Sequence, residues 1–369
     1  MNNHLRTAPQ PAVLPQPREL VAALPVYSKA GGSIPPMWRA SSNESFLPPS
    51  SAVLAAIAEA ASHCQRYPTL TGEHLIDALS LRLGVAPEQL VTGGGSLAVL
   101  QQLLTAFAGP GTEVVFAWRS YEAYPILVRL TGASCVEVPL TAEHCHDLST
   151  MASAVTDTTA AVILCSPNNP TGTVIGSSEL KDMLAAIPSQ VVVVLDQAYL
   201  EFTDDADASS QHSLDLLATH PNLVILQTFS KAYGLAGLRA GYMVAHPELA
   251  AHVRAASPPF GLNAIAEAAS VAALANRQAM ERNVATVREG RIALSTEFTA
   301  RGLVFPDSGS NFLWLPVAEE AEALEAACLA HSVGVRCFPG EGVRITVGSR
   351  DAEAAVLRAV DAWLVNRSH

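Results

Sequence analysis

Apolar positions recur at helical spacing in SSAVLAAIAEAASH, from residue 50, behind a serine that can start a helix. A turn at Arg66-Tyr67-Pro68 follows, then a second helical pattern over 72–83. Beyond it the texture alternates. Short β-branched runs stand at 113–117, 135–138, 160–165, 191–195, 223–227 and 241–244, and helical patterns at 96–107, 121–130, 178–187 and 213–217 fill gaps between them. Continuous apolar strands separated by helices predict a parallel sheet covered on both faces, an α/β architecture. After about residue 250 the pattern changes. A long helical stretch over 264–300 leads to a strand at 311–315, a helix at 319–331, strands at 333–338 and 343–347, and a last helix from 351. The expected layout is an extended, Pro-rich arm over 1–45, a large domain over 46–255 and a smaller α+β domain over 256–369, with no internal repeat.

Composition narrows the function classes. With 369 residues, 49% of them apolar and 15% charged, the chain has material for two cores and is not a disordered protein. A formal charge of −12 argues against a nucleic-acid partner, which calls for clustered Lys and Arg. The polar, Pro-rich start lacks the apolar core of a secretory signal, and no apolar run is long enough for a membrane span. Six scattered cysteines without a CxxC pair suit reduced thiols in a soluble, cytoplasmic protein. The cluster Glu143-His144-Cys145-His146-Asp147 is too tight for converging metal ligands and reads as a solvated loop, so no metal is expected.

Four segments carry candidate chemistry. In Thr228-Phe229-Ser230-Lys231, with Arg239 eight residues past the lysine, an amine able to form an imine lies beside two hydroxyls and a guanidinium suited to a phosphate dianion. A solvated loop lysine is the competing reading. In Ser166-Pro167-Asn168-Asn169-Pro170-Thr171-Gly172, Asn168 reads as a turn former, while the amide of Asn169 can donate to a phenolate oxygen. Asp196 closes the apolar run 191–195 and needs a partner; a pyridinium nitrogen is one, and a helix N-cap role is the alternative. Tyr199 can donate to the same phenolate as Asn169. Thr92-Gly93-Gly94-Gly95-Ser96, before the 96–107 helix, resembles a phosphate cradle, although taken alone a Gly-rich turn is the commoner explanation. All four follow strands, at the edge where open α/β sheets bind ligands.

Together these segments resemble the fold-type-I, pyridoxal-5′-phosphate (PLP) dependent aminotransferases of the histidinol-phosphate aminotransferase subgroup, over nearly the whole chain. The resemblance implies a mostly parallel seven-stranded sheet, PLP as cofactor, and a homodimer acting on a small amino acid and a 2-oxo acid. It implies Lys231 as the Schiff-base lysine and proton shuttle, Asp196 against the pyridine nitrogen, and Asn169 and Tyr199 on the ring hydroxyl. Ser96, Leu97 through its backbone, Thr228, Ser230 and Arg239 match the phosphate site, Tyr121 the ring-stacking aromatic, and Tyr67 the tyrosine that reaches the neighbouring subunit. Arg344 matches the arginine for the substrate α-carboxylate; from the residue alone, a surface ion pair is the plainer reading.

Leu97-Ala98 follows the cradle serine where the subgroup usually has an acidic residue, and the Ser42-Asn43-Glu44-Ser45-Phe46 segment departs from the subgroup's Asn-Glu-Asn-Pro. The stretches 228–233, 258–260 and 311–316 are more similar to actinobacterial aromatic-amino-acid aminotransferases. An aromatic substrate needs an apolar slot, for which Tyr27, Phe46, Tyr121 and Phe260 are candidates. At least one of Phe312 and Trp314 is expected in the core. The expected reaction is transamination of phenylalanine, tyrosine or tryptophan with 2-oxoglutarate. The alternative is transamination of histidinol phosphate, with Arg344 and Arg336 meeting the phosphate. Remoter alternatives are a PLP decarboxylase and a non-catalytic sensor domain.

Overall fold

The computed structural model describes residues 16–24, 37–204 and 210–367. Its centre is a seven-stranded sheet in the order Leu90–Gly93, Gly241–Ala245, Leu223–Thr228, Val192–Asp196, Thr159–Cys165, Glu113–Trp118, Ser134–Pro139. The five strands from Leu223–Thr228 to Ser134–Pro139 pair in parallel. Gly241–Ala245 runs antiparallel to both its neighbours, which makes the sheet mostly parallel, as expected. The cause is the connection from Thr228 to Gly241, which holds a single short 3-10 turn at Ala236–Leu238; without a crossover helix the chain turns back on itself. Leu90–Gly93 went unread because four residues running into three glycines carry no period.

Alternation along each strand divides the core between the two faces. Val114, Phe116, Ile163 and Val194 pack with Leu100, Leu103 and Leu104 of the Ser96–Phe107 helix. Val115, Ala117, Val162, Leu164, Val193 and Leu195 pack against Leu180, Met183 and Leu184 of the Ser177–Ala186 helix on the other face. The Ser51–Ala61 helix begins where the serine signal put it, with Ser50 Oγ accepting from the Val53 N–H at 3.4 Å.

The C-terminal part has its own core around Leu313, Leu315, Leu324, Val343, Val356 and Trp363. Its three-stranded antiparallel sheet is ordered Arg336–Phe338, Gly342–Thr346, Phe312–Leu315. Two expected continuities break. The 264–300 stretch is two helices, Ala264–Ala275 and Arg277–Ala300, because Asn276 leaves helical dihedrals (φ −110°, ψ 49°). The 333–338 run divides at Val335: Val333–Gly334 pairs in parallel with Trp38–Arg39, and Arg336–Phe338 joins the other sheet. The segment after Trp38–Arg39 is thereby laid across the carboxyl ends of the central strands.

Candidate active site

A cavity of about 680 Å³ opens at those carboxyl ends. Ser96, Leu97, Tyr121, Asn169, Asp196 and Tyr199 line it, as do Thr228, Ser230, Lys231, Arg239, Arg336 and Arg344. Residues scattered over 250 positions of sequence thus share one wall. Tyr67 is not part of it: its ring is 83% exposed and stacks on Phe260 at 4.8 Å. Tyr27 lies outside the described residues.

One end of the cavity is built for an anion. The Ser96–Phe107 helix starts behind Gly95 with no side chain capping its first N–H groups. Thr228 donates to Ser230 Oγ at 3.0 Å, and the Ser230 N–H donates back to Thr228 Oγ1 at 3.1 Å. Arg239, in the left-handed region at φ 61°, places Nη1 3.4 Å from Ser230 Oγ. Two glycines are required here, Gly241 by the close approach of backbone and Gly95 by its φ of 95°. A Cβ on Gly241 would lie 2.1 Å from the Ser96 nitrogen, and one on Gly95 2.6 Å from Arg239 Nη2. Free N–H groups, two hydroxyls and a guanidinium fit a phosphate dianion.

The floor holds Asp196, 6% exposed. Its Oδ1 accepts from the Ala198 N–H at 3.1 Å and its Oδ2 from the Tyr124 hydroxyl at 2.7 Å. The helix N-cap alternative is not met, because the next helix, the 3-10 turn Leu200–Phe202, has Tyr199 at its N-cap, and the second carboxylate oxygen has a different partner. Burial raises the carboxyl pKa above the usual range, opposed by Tyr124, the Ala198 N–H and the charge of Lys231. A cationic ring nitrogen is the partner that would keep such a carboxylate ionised, so the donor set fits a protonated pyridine. Tyr124 was missed in the sequence. It lies three residues past Tyr121, packs edge-on against it at 5.6 Å, and is wholly buried, so it reads as core.

Lys231 is half-buried, and its Nζ donates to the carbonyls of Ser42 and Asn43, both at 3.2 Å. The solvated-loop alternative is overturned. Burial, reinforced by Arg344 and Arg239 against Glu44 and Asp196, lowers its pKa to about 7. Tyr199 accepts from Asn43 Nδ2 at 2.9 Å and packs edge-on against Phe312. Burial pushes its phenol upward, so it stays a donor at neutral pH. Asn168 is the turn former expected, buried and bonded to Ser120, Thr171 and the Arg119 carbonyl.

At the other end Arg344 is 6% exposed, so the surface ion-pair reading fails. It donates through Nη1 to Asn169 Oδ1 and through Nη2 to the Ser41 carbonyl. Arg336 pairs with Glu122, Nη2 to Oε1 at 2.6 Å and Nε to Oε2 at 3.1 Å. Among the described members of the proposed apolar slot, only Tyr121 lines the cavity. Phe46 and Phe260 are exposed elsewhere (38% and 40%), because the 258–262 turn carries Phe260 onto Tyr67. Phe312 and Trp314 are both core, at 0% and 2% exposure.

The 143–147 cluster also needs correction. His146 is buried, accepts from the Cys165 N–H at 3.4 Å, and has its pKa lowered to about 4 by burial. It belongs to the packing under the cavity rather than to a solvated loop. No group of metal-ligating side chains was found among the described residues, and no helix there is long and apolar enough to cross a membrane.

Comparison with known proteins agrees with this geometry. The chain is 42% identical over 352 residues to the aromatic amino acid aminotransferase of Streptomyces coelicolor, covering 95% of this chain and 98% of that protein. It is 42% identical over 346 residues to the same-named protein of Thermobifida fusca, covering 93% and 96%. A histidinol-phosphate aminotransferase from Sinorhizobium meliloti, solved with pyridoxal-5′-phosphate, superposes with a TM-score of 0.86 at 26% identity, over 95% of this chain and 98% of that one. Residues 37–361 match the aminotransferase class I and II family, which takes in every central strand and the whole cavity wall, and the chain belongs to that family.

Proposed function

We propose that this protein transfers the amino group of an aromatic L-amino acid to 2-oxoglutarate, with pyridoxal 5′-phosphate as its cofactor. The observation that carries the reading is the joint presence, in one cavity, of a lysine of lowered pKa, a buried carboxylate, an anion cradle and a buried arginine. Bound there, the cofactor supplies an electrophilic carbonyl carbon and an electron-accepting ring. The residues supply the rest. The uncapped helix start, Thr228, Ser230 and Arg239 hold the phosphate. Asp196, oriented by Tyr124 and the Ala198 N–H, keeps a proton on the ring nitrogen. Asn169 and Tyr199 would donate to the ring oxygen, and Tyr121 would stack on the ring. Lys231, neutral above about pH 7, takes the proton from the substrate Cα. Arg344 binds the α-carboxylate as a fork.

The aromatic side chain is supported by the names of relatives about 42% identical over nearly full length. The six thiols, none of them paired, suit a cytoplasmic location. Tyr67 and Phe260 form a stacked, exposed pair with Leu54 and Leu70 also exposed, a surface that suits a second copy of this chain.

The test is a single-turnover half-reaction. Holoprotein mixed with L-phenylalanine should release one phenylpyruvate per site, and 2-oxoglutarate should regenerate the starting spectrum. Failure with phenylalanine, tyrosine and tryptophan alike would overturn the substrate class.

A further inference from the structure

Two arginines stand side by side in the cavity wall. Arg336 and Arg344 are direct cross-strand partners in the small antiparallel sheet, so their side chains leave the same face. Both line the cavity. Two guanidiniums on one face of the sheet would make a dianion site. The environments differ, however. Arg344 donates to the Asn169 amide oxygen and the Ser41 carbonyl, both neutral acceptors. Arg336 is held by Glu122 through two parallel hydrogen bonds, with side-chain exposures of 14% and 24%. Glu122 follows directly after Tyr121, the ring-stacking candidate in the cavity lining. A second ion pair in the cavity lining is similarly closed: Arg39 bonds Glu44 at 3.0 Å.

We propose that Glu122 is a specificity-determining residue, which neutralises Arg336 and so restricts this end of the cavity to monoanionic carboxylates, excluding amines that carry a phosphate ester. The inference rests on the transamination reading above and deepens it. A phosphate dianion entering beside Arg336 meets the Glu122 carboxylate, and like charges at that range repel strongly in a partly desolvated site. An amino acid carboxylate needs only Arg344. Glu122 touches neither reacting atoms nor cofactor, so its neutralisation leaves the proton-transfer groups in place.

The experiment compares wild-type holoenzyme with Glu122→Gln and with the double variant Glu122→Gln/Arg336→Met. The kcat/KM of the donor half-reaction is measured with L-phenylalanine and with histidinol phosphate, and inhibition of the phenylalanine reaction by inorganic phosphate is measured alongside. In Glu122→Gln, the histidinol phosphate to phenylalanine ratio should rise by about tenfold or more, and inorganic phosphate should inhibit at correspondingly lower concentration. Both gains should vanish in the double variant. Glu122→Ala replaces Glu122→Gln if the latter does not yield holoenzyme. An unchanged ratio and unchanged phosphate inhibition, or gains that survive loss of Arg336, overturn the inference while leaving the aromatic reading intact. A wild type that already prefers histidinol phosphate overturns both. A wild type inactive with every aromatic donor overturns the aromatic reading, and the phosphate-inhibition shift, read with whichever donor it accepts, then decides the role of Glu122.

Discussion

Asp196 depends on a residue that looks like core. Tyr124 is wholly buried, and its hydroxyl donates a hydrogen bond to the floor carboxylate at 2.7 Å. Tyr124→Phe keeps the packing and removes the donor. An unsatisfied buried acceptor costs about 1–3 kcal/mol. Part of that cost should appear as weaker cofactor binding, because a less stable carboxylate holds the ring proton less firmly. We expect the Kd for PLP, read by quenching of protein fluorescence, to rise roughly tenfold, with a small change in the melting temperature of the apoprotein. A melting change with unaltered Kd would reduce Tyr124 to a packing role. Lys231 and Asp196 were legible because amine and acid each follow an apolar strand. Tyr124, Asn43 and Glu122 were not, since their importance comes from partners 72, 156 and 214 positions away.

Among the elements, the phosphate cradle rests on the contact between the Gly241–Ala245 strand and the start of the Ser96–Phe107 helix. Gly241 has ordinary dihedrals for any residue, so its constraint is space alone: an added Cβ would sit 2.1 Å from the Ser96 nitrogen and 2.6 Å from the Gly95 carbonyl carbon. Both obstacles are backbone and cannot rotate away. Gly241→Ala must therefore displace the helix start, with overpacking costs of about 1–3 kcal/mol. We expect a lower melting temperature together with weaker retention of PLP on gel filtration. A variant as stable as the wild type that keeps its PLP would show that the helix start moves freely. The glycine run was visible in the sequence as a phosphate cradle. That a distant strand closes it from below was not.

For the whole molecule, the cavity is bounded by the cores of the large sheet and of the small sheet, and the 41–44 segment bridges them. Arg344 of the small sheet donates to Asn169 beyond the large one, and Asn311 Nδ2 and Lys231 Nζ both donate to the Asn43 carbonyl. Arg119 with Glu341, and Arg336 with Glu122, cross the same gap with opposite polarity. The exposed stack of Tyr67 on Phe260 lies outside this closed frame. If a second copy covers it, sedimentation velocity should give a dimer at micromolar concentration, and Phe260→Asp should shift the population toward monomer. A wild-type protein that is monomeric throughout would remove the proposed reach of Tyr67 into a neighbouring subunit.

Local pattern alone determined the strand–helix alternation, the serine-capped helix at 51, the α/β class and the grouping of amine, acid, amide and glycine run at strand ends, because side-chain period and turn chemistry act over a few residues. Tertiary structure decided the rest. It reversed the Gly241–Ala245 strand through a connection without a helix, split 333–338 between two sheets, and moved Phe260 out of the cavity. It also buried His146 and gave Arg336 to Glu122. Each of these depends on which distant segments meet, and that is set by how the layers pack and is not encoded in the spacing of neighbours.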